Sequence, residues 1–268
     1  MRKSLFSIIA LIGFAMTVMH SCGGSGKAMT DADTLSFDTI NVDTIVPFSD
    51  AEDSPRCELK LNILCAKGPN SDLINDSIIK YLFNDNMYKP ADDAPTGQTI
   101  EQAKDSFVVS YIKYYKEECA ELARAGVLGA SSNYEYVVNT KVINGRDNIV
   151  NYIIEGYSYT GGAHGSSFTV AMNFDTATGV CIQKDNAFVN TPDSVIQSKI
   201  IDKLLSEYKV KDMEGLKNIG VFAFSDAYVP DNFILGPDSV TFIYMSDEIA
   251  PHALGEIRVS LAYPELGE

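Results

Sequence analysis

Apolar and polar residues alternate with period two in several stretches of the chain and recur at helical spacing in others. Glu58, Lys60 and Asn62 interleave with Leu59, Leu61 and Ile63, which predicts a strand over 56–66. Upstream, Leu35/Phe37 and Ile40/Val42 alternate with polar neighbours but slip phase between the pairs. One bulged strand is therefore expected near 34–46. Ile74, Ile78, Tyr81 and Leu82 predict a helix over 71–84, ahead of an Asp/Pro/Gly-rich loop at 85–98. Thr99 and Gln102 have the spacing of a capping box. Beyond them Val108, Ile112, Tyr115, Cys119 and Leu122 form a stripe, so a long amphipathic helix is expected over 99–125, stopped by Gly126. Its tyrosines, Tyr111, Tyr114 and Tyr115, read as core and boundary residues.

The pattern then turns to strands. Segments 134–143 and 148–160 flank Asn144-Gly145, a hairpin-turn signal, and a third strand is expected at 166–175. Thr191-Pro192 opens a helix, with Pro at its first position and Ile196, Ile200, Leu204 and Tyr208 on one face. The tail reads as strands at 231–235, 239–245 and 256–263, the first two joined at Gly236-Pro237-Asp238. Hairpins with helices between them, rather than βαβ units, predict an α+β fold: antiparallel sheets with segregated helices in two closely packed modules. A boundary near 126–132 divides them into 34–130 and 131–268.

The N-terminus changes what those modules are attached to. Arg2 and Lys3 precede an apolar run at 5–19 that is short for a membrane span, which is the pattern of a secretory signal. The run ends at His20-Ser21-Cys22, and a small residue before Cys resembles a bacterial lipobox. The expectation is a signal peptide over 1–21, lipidation at Cys22, and a flexible tether over 22–33. The protein is then exported and anchored by lipid in the bacterial cell envelope, on a periplasmic or outer-membrane face. Gly26-Lys27 does not make a phosphate loop, because Ala28 stands where Ser or Thr should bind magnesium.

Composition narrows the chemistry. The formal net charge is −15 with no Lys/Arg-rich run, which excludes general nucleic-acid binding. Losing 1–21 removes two basic residues and His20, so the histidines left are His164 and His252. No metal-ligand spacing and no cofactor signature is present, so neither a metal nor a cofactor is expected. In an exported protein Cys57, Cys65, Cys119 and Cys181 permit disulfides in three connectivities, although Cys57 and Cys65 cannot pair if one straight strand carries both; the other reading is four small buried thiols. No Gly-x-Ser-x-Gly elbow occurs. A glycosidase pair of carboxylates distant in sequence stays open.

The densest unusual segment is 157–167. Tyr157 and Tyr159 should project from one strand face, and Gly161 and Gly162 permit positive φ at a bend carrying His164 and Ser166. It reads either as a strand-connecting turn with His164 bonded locally or as a binding surface on a rigid sheet. His252, in Asp247–Gly255, is likewise either a conformational or a ligand-contacting residue, with Pro251 and Gly255 shaping the turn. The candidate ligand-binding residues are Tyr157, Tyr159, Gly161, Gly162, His164, Ser166 and His252.

Three motifs carry a resemblance. Tyr159-Thr160-Gly161-Gly162-Ala163-His164, then Asn173-Phe174-Asp175 with Thr178-Gly179, then 248–255 together resemble a bacterial extracytoplasmic domain of unknown function. That domain occurs in the anti-sigma factor RsiV and beside the catalytic domain of the peptidoglycan deacetylase PdaC. The resemblance covers 131–268, and 73–78 is similar to the companion domain that precedes it. Gly165 departs from the pattern where Pro often follows the His, and His252 where Tyr is common. The resemblance implies an envelope module of α+β fold in cell-wall contexts and, in the RsiV branch, lysozyme sensing. The expected function is non-catalytic binding of a cell-wall-related ligand, a basic muramidase or a peptidoglycan fragment. The alternatives are an enzyme on envelope glycans and a purely structural lipoprotein.

Overall fold

A computed structural model describes residues 34–84 and 97–267. The expected signal peptide, Cys22, the tether and most of the 85–98 loop lie outside the described residues. Among the described residues nine strands form two sheets. The first carries β1 (Ser36–Pro47), β2 (Arg56–Lys67), β3 (Tyr134–Asn144), β4 (Ile149–Tyr159), β5 (Ser166–Asp175) and β6 (Cys181–Ile182), hydrogen-bonded in that order. The second carries β7 (Phe233–Leu235), β8 (Ser239–Tyr244) and β9 (Ile257–Ala262). The fold is α+β, as the patterning predicts.

One pairing departs from the expected antiparallel rule. β2 and β3 run parallel, with Cys57 opposite Tyr134 and Asn62 opposite Asn139. The helical segment between them is therefore a crossover, because parallel neighbours cannot be joined by a tight turn. It contains α1 (Ser71–Ile79), a π-helical turn over Lys80–Asn84 and α2 (Ile100–Arg124). The six-stranded sheet thus continues across residues 130–131, between β2 and β3.

Alternation on β2 buries Cys57, Leu59, Leu61, Ile63 and Cys65 against the crossover helices. β1 is unbroken in register from Ser36 to Pro47, so the phase slip at 37–40 makes no bulge. Phe37 lies off the main apolar phase, its ring 6.2 Å from that of Tyr152. The Thr99–Gln102 capping box forms at the start of α2. The buried face of α2 is rotated from the expected stripe. Phe107 and Tyr111 are buried, while Val108 and Ile112 are half-covered, because the rings of Phe107 and Tyr111 pack on Tyr136. Tyr115 and Cys119 are buried as expected, while Tyr114 is exposed, with its ring 6.3 Å from that of Tyr134.

A second core forms where α4 (Asp193–Tyr208) lays Ile196, Ile200 and Leu204 on the second sheet. Pro192 is the N-cap of this helix rather than its first residue. The short helices α3 (Lys184–Ala187) and α5 (Met213–Asn218) lacked a periodic signal, being about one turn each.

The two sheets are joined by asparagines. Ile243 N–H bonds Asn232 C=O and Gly236 N–H bonds Ser239 C=O, so the intervening Phe233 and Leu235 peptide groups face away from β8. Buried Asn151 and Asn173, on the outward face of β4 and β5, meet them. Asn151 donates to Leu235 O at 3.1 Å and Asn173 to Phe233 O at 2.9 Å. Leu235 N–H donates to both side-chain oxygens, at 3.2 and 3.0 Å. The Asn232 amide accepts from Ala171 N and donates to Thr169 O, closing the free edge of β5. A small apolar seam of Ile153, Ile234 and Ile243 fills the joint. Among the described residues no helix is long and apolar enough to cross a membrane.

Candidate functional site

Because β2 and β3 are parallel, their first residues lie at the same end of the sheet as the end of β4 and the start of β5. A cleft of about 410 Å³ opens there. Its lining includes Arg56, Glu58, Glu135, Tyr157, Tyr159 and His164. Glu58 lies opposite Glu135, and Glu135 opposite Tyr159, so these three project from one face across three strands. Lys60 forms an ion pair with Glu58, and that carboxylate raises the pKa of the exposed ammonium.

The 160–165 bend is shaped by backbone constraints. Gly161 and Gly162 adopt φ of 94° and 93°, a region that glycine enters freely. A Cβ on Gly161 would lie 2.8 Å from Ser131 O, so the bend also approaches the neighbouring loop too closely for a side chain. Tyr159 Oη donates to Gly162 O at 2.9 Å, tying the bend to its own strand. The ring of Tyr157 covers Gly165, where a Cβ would sit 2.3 Å from Tyr157 Oη. This contact accounts for glycine after His164.

His164 is exposed at the cleft rim, with Nδ1 3.2 Å from Gly165 O. Its ring meets that of His252, with centroids 4.5 Å apart and planes at 31°. The two histidines thus come together from the bend between β4 and β5 and the segment between β8 and β9. His252 Nδ1 lies 2.8 Å from Asp247 Oδ2. Asp247 in turn borders a second cleft of about 620 Å³ with Phe224, Glu248 and Pro251. Phe224 is fully exposed. Beside it, burial and the Glu248 carboxylate push the Tyr228 phenol up; Tyr228 Oη donates to Glu248 Oε1 at 2.5 Å.

Tyr157, Tyr159 and His164 therefore line one cleft, with His252 stacked at its rim. Gly161 and Gly162 shape the bend without lining the cleft. Ser166 lies apart from the other expected residues. It pairs with Ser158 and lies on the opposite sheet face from Tyr157 and Tyr159, because side chains alternate along β4 and β5. Arg56, Glu58 and Glu135 were not among the expected residues. The alternation of β2 assigns Glu58 to a polar face, but nothing local says which strand lies beside it. The second motif is structural: Asn173 clamps β7, and Asp175 Oδ1 accepts from Ala177 N and Thr178 N in a turn. Among the described residues no three His, Cys, Asp or Glu side chains gather as metal ligands.

Residues 51–167 match the family model described as Deacetylase PdaC, and 182–263 match the one described as a protein of unknown function, DUF3298. Comparison with curated proteins finds no match. A DUF3298 family member from Bacteroides fragilis is 24% identical with a TM-score of 0.76, over 89% of this chain and 94% of that one. A DUF3298 family protein from Pseudomonas aeruginosa is 16% identical with a TM-score of 0.57, over 88% of this chain and 94% of that one. At these identities the likeness is one of fold. The chain joins a segment similar to PdaC and a segment similar to DUF3298 in one α+β architecture.

Proposed function

We propose that the protein is a lipid-anchored cell-envelope module that binds a peptidoglycan fragment without chemically altering it. Matches to the PdaC and DUF3298 models fit an envelope-associated protein. The resemblance to the RsiV-type domain points to the same setting. The observation that carries the reading is the meeting of His164 and His252 beside the Tyr157/Tyr159 cleft. Tyrosine rings offer apolar faces to sugar C–H groups, while their hydroxyls and the imidazoles offer hydrogen bonds to polar substituents.

The test is calorimetry of the protein with purified muropeptides and, separately, with a basic muramidase at low salt. Muropeptides should bind, and Tyr159→Ala or His164→Ala should weaken binding roughly tenfold. Unchanged affinity in both variants, or heat with the muramidase alone, would overturn the reading. For the anchor, Cys22→Ala should abolish incorporation of labelled fatty acid; retention of the label would sink that part.

A second reading has one observation in its favour. Glu58 and Glu135 lie on adjacent strands at the spacing of a cross-strand pair, within the His164 cleft. Two carboxylates at that separation suit glycoside hydrolysis. Glu58 is, however, already committed to Lys60. Mass spectrometry of muropeptides incubated with the protein decides: new products lost in Glu135→Gln would establish an enzyme.

A further inference from the structure

The outward face of β1–β4 carries a row that the cleft does not include. Asn41 lies opposite Asn62, Asn62 opposite Asn139, and Asn139 opposite Glu155. Three asparagines stand side by side on three adjacent strands. Asparagine is disfavoured in strands, where β-branched and aromatic residues fit better. Asn41, Asn62 and Asn139 are exposed, and among the described residues none of their side chains has a protein hydrogen-bond partner. Nothing in the fold therefore uses these amides, in contrast to Asn151, Asn173 and Asn232. A residue type placed against its local preference, with no structural return, is the pattern of a functional surface.

Charge and spacing identify the occupant. The chain has 36 acidic against 21 basic residues, yet this face is nearly balanced. Lys60 pairs with Glu58 and Lys141 with Glu155. A locally balanced, amide-bearing face suits an uncharged polar polymer rather than a basic protein. Each amide both donates and accepts, as sugar hydroxyl and acetamido groups require. Adjacent strands lie about 4.8 Å apart, so the row steps across the sheet by about the length of one pyranose unit. One row further along the strands come Asp43, Lys60, Val137 and Tyr157, of which Val137 and Tyr157 supply an apolar and aromatic border.

We propose that an extended β-linked amino-sugar chain lies across β1–β4, perpendicular to the strands, with one ring over each of Asn41, Asn62, Asn139 and Glu155. This rests on the glycan-binding reading above and extends it from the cleft to the sheet face. The ribbon of a β-linked polymer is straight enough to follow the row, which runs alongside the Tyr157/Tyr159 cleft.

The experiment titrates the full-length protein with N-acetylglucosamine and with chitin oligosaccharides of two to six units. Affinity should climb roughly tenfold from dimer to tetramer and then level off, because four strands carry the row. The double variant Asn62→Thr/Asn139→Thr should lose that gain. It should also raise the melting temperature, because threonine suits a strand better, and this separates lost binding from misfolding. Equal affinity for monomer and tetramer, or an unaltered length dependence in the double variant, would overturn the proposal. So would a dimer of the protein that this variant abolishes, since the face would then bind a second copy. If muropeptides still bind through Tyr159 and His164 while length dependence is absent, the platform fails and the cleft reading stands. If nothing binds, both fail.

Discussion

Replacing Asn151 and Asn173 by alanine tests whether the two sheets are held together by side-chain amides standing in for a strand. Asn151→Ala removes its bond to Leu235 O and one of two acceptors of Leu235 N–H. Leu235 N–H keeps Asn173, so the uncompensated loss is the buried carbonyl. A lost bond is worth about 1 kcal/mol net and an unsatisfied buried acceptor costs about 1–3 kcal/mol, so a destabilisation of about 2–4 kcal/mol is expected. Asn173→Ala strands Phe233 O in the same way. Together they orphan Leu235 N–H, which neither does alone, so the double variant should exceed the sum by about 1–2 kcal/mol. Against a typical stability of about 5–15 kcal/mol this is a large fraction. The assay is urea unfolding of all four proteins, with fluorescence and far-UV circular dichroism followed in parallel. Loss of the joint should also separate the two probes, as the cores begin to unfold independently. Additive losses below about 0.5 kcal/mol would refute the clamp, since neighbours sharing a partner cannot be independent.

Gly165→Ala should displace the Tyr157 ring, because the new Cβ would lie 2.3 Å from Tyr157 Oη; muropeptide affinity should fall while the circular dichroism spectrum is retained. Alkali should unfold the protein cooperatively. Burial pushes the Cys57 thiol up to about 12 and raises the Tyr115, Tyr152 and Tyr244 phenols. Groups with raised folded-state values contribute fully below their unfolded values, so this part of the stability is complete below about pH 9 and is lost as the pH climbs toward 12 and beyond. Urea midpoints at pH 8 and pH 10.5 check the sign, and an unchanged or higher midpoint at pH 10.5 would contradict it. Finally, N-ethylmaleimide at pH 8 should label half-buried Cys181 well before Cys57, Cys65 and Cys119, read by mass spectrometry; labelling of Cys57 first would contradict the burial argument.

Elements with one clean period were legible in the sequence. β2, α2 and α4 were recognised because each buries one face of a regular structure, and the capping residues Thr99 and Gln102 marked the start of α2 closely. The rotation of α2 was not legible. Val108 and Phe107 are both apolar, and only the aromatic surface of Tyr134 and Tyr136 decides which turns inward. The parallel partnership of β2 and β3 was hidden for a similar reason: alternation says which face a strand buries, not which strand it joins. The cleft inherits this. His164 and Tyr159 stood out by local composition, but Arg56 and Glu58 reach them only through that pairing. Asn151 and Asn232 carry no local signal, since they bond a backbone distant in sequence.

The same crossover sets an order of events during synthesis. β1 and β2 can fold on each other as soon as they leave the ribosome, but β2 then waits for β3 with one edge unpaired. The intervening segment from Gly68 to Asn133 must be made first, and α2 must settle for β3 to be seated. For that interval an apolar strand offers its backbone to any passing neighbour. A chain kept extended until β3 has cleared escapes that exposure, so this topology favours holding the polypeptide unfolded over folding it piecemeal.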